Sequence, residues 1–241
     1  MLNFFRRIRR KLSNENKFIQ YSRYAIGEIV LVMVGILLAL QVNTWNEERK
    51  DRKLENNILE DLVENLEQNC NQLERRIKSI SYYRKFGGVF ISAIENNKTY
   101  HDSLENHFHL ALMNTSNIKL SNIGYEALKN VGLEIVRNKI LKKDLIIFFE
   151  EIQPKFHASF EWGDIDRANR EKYIDEHFIQ IGKDKAVYYK PFDPNILMKD
   201  NYFAALIYKT DLQRNYFTMV MEDHLKESQR LLKIIKSELE E

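Results

Sequence analysis

Apolar residues form one unbroken stretch near the start of the chain and recur at helical spacing through much of the rest. Residues 25–42 read AIGEIVLVMVGILLALQV, so apolar side chains lie all round a helix there instead of on one stripe. As a helix this stretch would be about 27 Å long, close to the ~30 Å hydrocarbon core of a bilayer. Tyr21, Tyr24 and Trp45 supply interfacial rings at its ends. The pattern predicts a membrane-spanning helix in preference to a buried core helix.

A cleaved signal peptide is the competing interpretation of the same stretch. Its uninterrupted apolar run, residues 29–40, is short enough for one. However, residues 1–24 make a long leader, and residues 38–42 (LALQV) lack the small-x-small pattern of a cleavage site. We therefore expect the helix to be retained, and we divide the chain into a basic tail (1–24), a transmembrane helix (25–45) and a main domain (46–241).

Lysine and arginine are more numerous before the span than after it. Those that follow it closely are Arg49, Lys50, Arg52 and Lys53. Those that precede it are Arg6, Arg7, Arg9, Arg10, Lys11, Lys17 and Arg23. Because positively charged flanks tend to stay in the cytoplasm, we expect a single-pass protein of the inner (cytoplasmic) membrane with a cytoplasmic N-terminus. The main domain is then periplasmic in a Gram-negative cell.

Basic and apolar residues of the tail follow a helical pattern. Phe5, Ile8 and Leu12 share a face, and such a segment can lie in the membrane interface with its cations on anionic headgroups. The candidate lipid-headgroup contacts are Arg6, Arg7, Arg9, Arg10 and Lys11. Alternatively these charges only set the topology, and the two interpretations are compatible.

Glu28 is the charged residue inside the span, and Gly35 and Ala39 share its helix face. The pair Gly35-x-x-x-Ala39 permits close approach of a second helix, so the face is a candidate helix–helix interface. Two other interpretations of Glu28 stay open. It lies one turn inside Tyr24, where it can reach the headgroups or pair with Arg23, or it serves an ion or proton pathway.

An amphipathic helix follows the span. No Gly or Pro occurs between Trp45 and Phe86, and apolar residues recur every seven positions. These residues are Leu59, Leu66, Leu73 and Ile80. We expect the helix to continue from the membrane span as a stalk. Asn69 interrupts the intermediate position and favours bundle packing over a long dimeric coiled coil, while Gly87-Gly88 predicts a break.

A second long helix is expected from about Lys199 to the end, antiparallel to the first. Between the two, the sequence predicts shorter helices near 84–96, 102–114, 121–131, 138–160 and 164–180. Ser121-Asn122 suits the start of one of these and Gly132 suits its C-terminal cap. Residues 186–194, with two prolines, predict an extended loop. The fold class is therefore all-α, a transmembrane helix continuing into a stalk helix and followed by a helical bundle domain.

Composition adds few constraints. Three Pro and eight Gly are few for 241 residues, which agrees with long helices. Residues 46–241 carry slightly more acidic than basic side chains, so nucleic-acid binding by the main domain is not expected. The single Cys70 excludes an internal disulfide and a thiolate metal site.

Two groups of polar residues are candidates for chemistry. The first is His101, Glu105, His107 and His109. It lacks a His-Glu-x-x-His motif, and the neighbouring Phe108 indicates packing more than zinc binding. The second is Asp164, Asp166, Asp175, Glu176 and His177. On predicted helix surfaces these carboxylates are ordinary solvated charges, and we predict no catalytic residue, no metal ligand and no cofactor.

The membrane segment and its flanks resemble an uncharacterised bacterial family of single-pass membrane proteins with a domain of unknown function. Residues 24–32, 35–43 and 45–50 carry the resemblance, in the signature YAIGEIVLVMVGILLALQVNTWNEERK. A weaker likeness covers residues 120–128 with Gly132. The resemblance implies placement in a Gram-negative envelope and implies no activity.

An anchor, a stalk and a bundle without an enzyme motif favour a non-enzymatic scaffold or accessory subunit. Its expected partners are the membrane and either a protein or further copies of itself. Two other classes stay open. One is a periplasmic ligand sensor that acts through a separate cytoplasmic partner, and the other is an enzyme whose site is assembled from residues distant in sequence.

Overall fold

A computed structural model describes residues 17–96, 98, 100–101, 104, 107–112, 118–161, 167–183 and 186–240. Its first helix, α1, runs from Lys17 to Glu95 without interruption. The later elements are α2 (His107–Leu112), α3 (Ile123–Val131), a 3₁₀ turn (Leu133–Ile135), α4 (Lys139–Ile147), a π-helical turn (Phe148–Ile152), α5 (Gln153–Glu161), α6 (Arg167–His177), the strands β1 (Phe178–Lys183) and β2 (Ala186–Pro191), α7 (Pro194–Leu197) and α8 (Asn201–Leu239). The expected all-α class is confirmed, with a two-stranded hairpin added.

Two compact units divide the chain, Met1–Glu55 and Asn56–Glu241. The described part of the first unit is helical, and its large apolar side chains between residues 26 and 42 are 47% to 74% exposed. Among the described residues, α1 is the one helix long and apolar enough to cross a membrane. The tail residues Arg6, Arg7, Arg9, Arg10 and Lys11 lie outside the described range.

In the second unit, α8 packs antiparallel against the part of α1 that begins at residue 56. Lys236 Nζ lies 2.6 Å from Glu67 Oε1, whereas the Tyr208 hydroxyl donates to Glu95 Oε1 at 2.9 Å. Because residue numbers rise along α1 as they fall along α8, the predicted antiparallel pairing of the two long helices is confirmed.

The seven-residue repeat of α1 is the buried seam of this pair. Leu59, Leu66, Leu73 and Ile80 are each 0% exposed. Three apolar clusters follow one another along the seam. The first holds Leu59 and Leu66 with α3, α4 and the end of α8, the second holds Leu73 and Ile80 with α5, and the third surrounds Phe90 with α2, α6, β1 and the start of α8. The sequence repeat thus predicted the core correctly.

The predicted break at Gly87-Gly88 is wrong, because α1 continues through both residues to Glu95. Gly87 is buried beside Arg214, and Phe90, one turn further on, is 0% exposed. Each glycine costs a helix roughly 1 kcal/mol relative to alanine. Burial of the flanking apolar residues against α8 outweighs that cost, since packing supplies most of the stability of protein helices.

The predicted helix at 164–180 and the predicted loop at 186–194 are each partly wrong. The helix α6 ends at His177, and residues 178–183 form β1, which pairs with β2 from Phe178↔Pro191 to Lys183↔Ala186. Residues 186–191 are extended as expected, but they are a paired strand. Both segments, FIQIG and VYYKP, are short runs of β-branched and aromatic residues, and this composition was the missed strand signal.

Helix α3 begins and ends where its sequence predicts. Gly132 is its C-cap, with φ of +112° and its N–H donating to Leu128 O. Gly124 packs directly on α1, where an added Cβ would lie 3.2 Å from Leu62 Cα. Such a close helix–helix approach admits glycine and little else.

We expect opposite effects from alanine at two helical glycines. Gly124→Ala forces Cβ against the Leu62 backbone and should destabilise the second unit by roughly 1–3 kcal/mol. Gly88→Ala meets nothing within 4 Å and should stabilise it by roughly 0.5–1 kcal/mol. Urea unfolding of the full chain in mild detergent, followed by circular dichroism, measures both. Equal effects at the two positions would contradict the close packing of α3 on α1.

Candidate functional site

The face of Glu28, Gly35 and Ala39 is fully open within one chain. All three residues are exposed, and a Cβ added at Gly35 would meet nothing within 4 Å. The structure therefore leaves this face free for lipid or a second helix, and its role as a helix–helix interface stays a prediction.

In the second unit, the first buried polar contact joins α1 to the segment before α3. The Asn69 side chain, 3% exposed, donates to Ser121 O at 2.7 Å and accepts from Ser121 N at 3.0 Å. Gln72 and Gln153 donate to the neighbouring carbonyls of Lys119 and Leu120. These amides satisfy a loop backbone that no sheet or helix pairs, so Asn69 disfavours a simple coiled coil, as predicted, for a structural reason.

Arg214 forms a second buried polar contact, in the middle of α8. It is 2% exposed, and its guanidinium donates to Tyr83 O at 3.2 Å and to Leu110 O at 2.9 Å. It also lies 5.8 Å from the centre of the Tyr83 ring. Burial lowers the pKa of Arg214 to about 10, so the group stays charged at neutral pH. Its bonds connect α1, α2 and α8, which is a clamping role.

Next to this clamp, Arg84 closes the solvent side of the helix pair. Its Nε and Nη2 donate to the two carboxylate oxygens of Asp211 at 2.9 and 3.2 Å, and its Nη1 donates to Asn215 Oδ1 at 2.9 Å. A bidentate Arg–carboxylate pair is among the more specific ion-pair geometries. The pair helps to fix the register of α8 on α1. Both carboxylate oxygens of Asp211 accept from Arg84, so this carboxylate is not free for acid–base chemistry.

His224 is the third buried polar group, and it lies among aromatic rings. It is 4% exposed, stacks on Phe156 at 4.3 Å and lies 5.2 Å from Phe148 of the π-helical turn. Burial, followed by the charge of His157, lowers its pKa to about 4. It is therefore a neutral packing residue at physiological pH and is unlike a catalytic base poised near pH 7.

The predicted histidine group is not assembled into a metal site. His101 precedes α2, which begins at His107, and Glu105 lies outside the described residues. His107 stacks near Phe86, and His109 lies against Tyr189 with a pKa lowered by burial. Across the described ranges, no group of three or more His, Cys, Asp or Glu side chains could hold a metal ion.

The described members of the acidic group lie on the surface or pack on a neighbouring ring, and Cys70 is buried. Asp175 and Glu176 are exposed on α6, and the ring of His177 packs on Tyr173 with its Nδ1 at 3.0 Å from Tyr173 O. Asp164 and Asp166 lie outside the described residues. Burial and the nearby Glu74 and Glu67 raise the pKa of Cys70 to about 11, which makes its thiol a poor nucleophile.

Sequence reasoning missed Arg214, although a signal for it was present. The residue falls on the buried stripe of α8, three positions before Phe217 and four after Thr210. A charge on an apolar stripe is unusual and indicates a buried hydrogen-bonded group. The pattern does not identify the acceptor, the carbonyl of Leu110, because only the tertiary structure brings that residue next to Arg214.

Residues 28–121 match the model of a family of unknown function (DUF6090). The match begins within the apolar span, takes in the rest of α1 and ends at Ser121, the residue that Asn69 holds. It confirms that the chain is similar to an uncharacterised family. No curated protein and no solved structure matches the chain.

His224 gives an expected pH dependence of stability. Because its pKa is about 4 in the folded chain and near 6.5 in the unfolded one, the unfolded state binds the proton more readily as pH falls. Above about pH 6.5 the free energy of unfolding is unaffected by the titration of this histidine. Between about pH 6.5 and pH 4 it falls by up to roughly 3 kcal/mol, because the unfolded chain gains the proton that the folded chain excludes. Replacing His224 with Gln should reduce the slope of the free energy of unfolding against pH between these two pH values.

The matched control for this measurement is His101→Gln, which removes an exposed histidine outside α2. The control should keep the wild-type slope of unfolding free energy against pH. An identical slope in His224→Gln and wild type would rule out His224 as the source of the acid sensitivity.

Proposed function

We propose that the protein is a non-enzymatic, membrane-anchored envelope protein whose main domain binds a partner protein, as a scaffold or accessory subunit. One observation carries the proposal. The buried side chains of Asn69 and Arg214 are hydrogen-bonded to the backbone, and His224 packs between aromatic rings, while large apolar side chains remain on the outer surface of the same unit. Committed interior polar groups leave little chemistry inside, and exposed apolar side chains favour association.

The anchor is the apolar part of α1. Its side chains, exposed in the isolated chain, require an apolar surrounding, which a bilayer supplies. The excess of Lys and Arg before the span supports a cytoplasmic N-terminus and a periplasmic main domain in the inner membrane. The Glu28, Gly35 and Ala39 face supports contact with a second membrane helix, and Arg6, Arg7, Arg9, Arg10 and Lys11 are proposed headgroup contacts.

Partner binding predicts a discrete crosslinked complex in the native membrane. The full chain, tagged at its C-terminus, is crosslinked in intact cells with a cleavable amine-reactive reagent, solubilised in mild detergent and purified. We expect one or a few proteins, or further copies of the chain, to co-purify in fixed ratio and to be absent from untagged cells. Recovery of the uncrosslinked single chain alone would count against the proposal.

The orientation predicts opposite results from two C-terminal reporters. Alkaline phosphatase, which is active only after export, should be active when fused after Glu241, and a reporter that requires the cytoplasm should be inactive. Replacing Arg6, Arg7, Arg9, Arg10 and Lys11 with Asn or Gln leaves two basic residues before the span against four after it. The charge excess is then reversed, which should raise the inverted fraction. Activity of the cytoplasmic reporter in the unaltered chain would reverse the proposed topology.

A further inference from the structure

The outward side of α8 changes character halfway along the helix. From Asn201 to Met219 its exposed residues include a single charge, Lys209. From Glu222 to the helix end nearly every exposed residue is charged or polar; these residues are Glu222, Asp223, Lys226, Gln229, Arg230, Lys233, Lys236 and Ser237. The second half of α8 thus has a well-solvated outer surface, whereas the outer surface of its first half is poorly solvated.

The apolar half forms one narrow stripe, which we call the α8 face: Ala205, Tyr208, Leu212, Tyr216 and Met219. Steps of three and four residues keep all five within about one quarter of the helix circumference. Leu212 is 70% exposed and Met219 is 56% exposed. Their position on a helix that is otherwise well packed makes them candidates for an intermolecular contact.

Two polar groups at this stripe are already bonded within the chain. The Tyr208 hydroxyl donates to Glu95, and Asn215 accepts from Arg84. These bonds hold the ring of Tyr208 and the edge of the stripe in place, so a partner would meet a preformed apolar surface. A partner with many charges would lose hydration on this surface and gain no ion pair.

We propose that the α8 face binds the α8 face of a second copy of this chain across a twofold axis. A twofold contact brings the same patch of both copies together, and a nearly uncharged stripe avoids the repulsion that two copies of a charged stripe would suffer. Leu212, at the centre of the stripe, meets its counterpart whether the two helices run parallel or antiparallel. The proposal deepens the partner binding proposed above, on which it rests, by naming the partner.

The size of the face also favours a second copy over a freely diffusing protein. Its exposed apolar area is roughly 500 Å² when aromatic side chains count about 150–250 Å² each, below the ~800 Å² per partner of a standard stable interface. A contact this small is weak between free molecules. Two copies held in one membrane have a high effective concentration, which strengthens a weak contact considerably.

Cysteine crosslinking of the full chain in its membrane tests the proposal. Leu212→Cys and Met219→Cys place thiols on the α8 face, and Lys226→Cys is the matched control, about five helical turns after Tyr208 on the same side of α8. The wild type gives the background, because Cys70 is buried. With a short bismaleimide we expect a product of twice the chain mass from Leu212→Cys and Met219→Cys, at least about tenfold above the control.

Each other outcome overturns the second-copy proposal. A free face is indicated if the thiol of the Leu212→Cys variant reacts fully with a monofunctional maleimide but forms no dimer. Contact with lipid is indicated if the same thiol is protected without any crosslink. A crosslinked product of another mass identifies a different protein and leaves the proposed function standing. Failure of the proposed function itself would appear as an absence of any co-purifying partner, including copies of the chain.

A second variant keeps the result independent of thiol chemistry. Leu212→Glu adds a charge at a side chain that is 70% exposed, so the circular dichroism spectrum of the full chain should stay unchanged. Energy transfer between fluorophores fused at the C-termini of coexpressed copies, measured in the native membrane, should fall towards the level of unassociated copies, while Lys226→Glu should leave it unchanged. A dimer that survives Leu212→Glu would exclude the α8 face as its interface.

Discussion

The antiparallel packing of α8 on residues 56–95 of α1 is the interaction on which the rest of the main domain depends. The intervening helices are short, from four to eleven residues, and isolated helices of such length are unstable in water. Each gains stability by burying one face on the long pair, as α3 does at Leu62 through Gly124. Loss of the pair would therefore remove the surface on which every short element folds.

Buried polar contacts fix the register of that pair more narrowly than apolar packing can. A heptad of leucines tolerates a shift of one repeat, because the shifted seam is still apolar. Arg214 of α8 donates to the carbonyl of Tyr83 on α1 and to that of Leu110 on α2, and both bonds form in one register only. A shift would leave the buried guanidinium unpaired, at a cost of several kcal/mol, so Arg214 gives specificity to the fold.

The same commitment of polar groups bears on function. Arg84 and Arg214 serve as clamps and His224 as a ring stack, and no group of described side chains could hold a metal ion. The exposed apolar surfaces include the span of α1 and the first half of the outer side of α8. Both require another apolar surface, which is the physical basis for proposing an anchored protein that acts by association.

Local patterns predicted the elements that depend on them. The continuous apolar run predicted the candidate span, the seven-residue repeat predicted the buried seam, and Gly132 predicted the end of α3. The candidate functional residues were predicted less completely. Spacing placed Glu28, Gly35 and Ala39 on one helix face. The hydrogen-bond partners of Arg214 and the nearly uncharged α8 face were identified from the structure, which shows which residues of α8 are buried.

By itself, the sequence determined that two long helices begin and end the main domain, which side of each is buried, and the apolar character of the span. These properties follow from residues three, four and seven positions apart, which contact the same surface. Only the tertiary structure decided that α1 passes through Gly87-Gly88, that FIQIG pairs with VYYKP, and that Arg214 reaches Leu110. Each of those outcomes depends on burial or on pairing between separate segments, whose free energy exceeds the local preference and whose partners cannot be identified from residue spacing within one element.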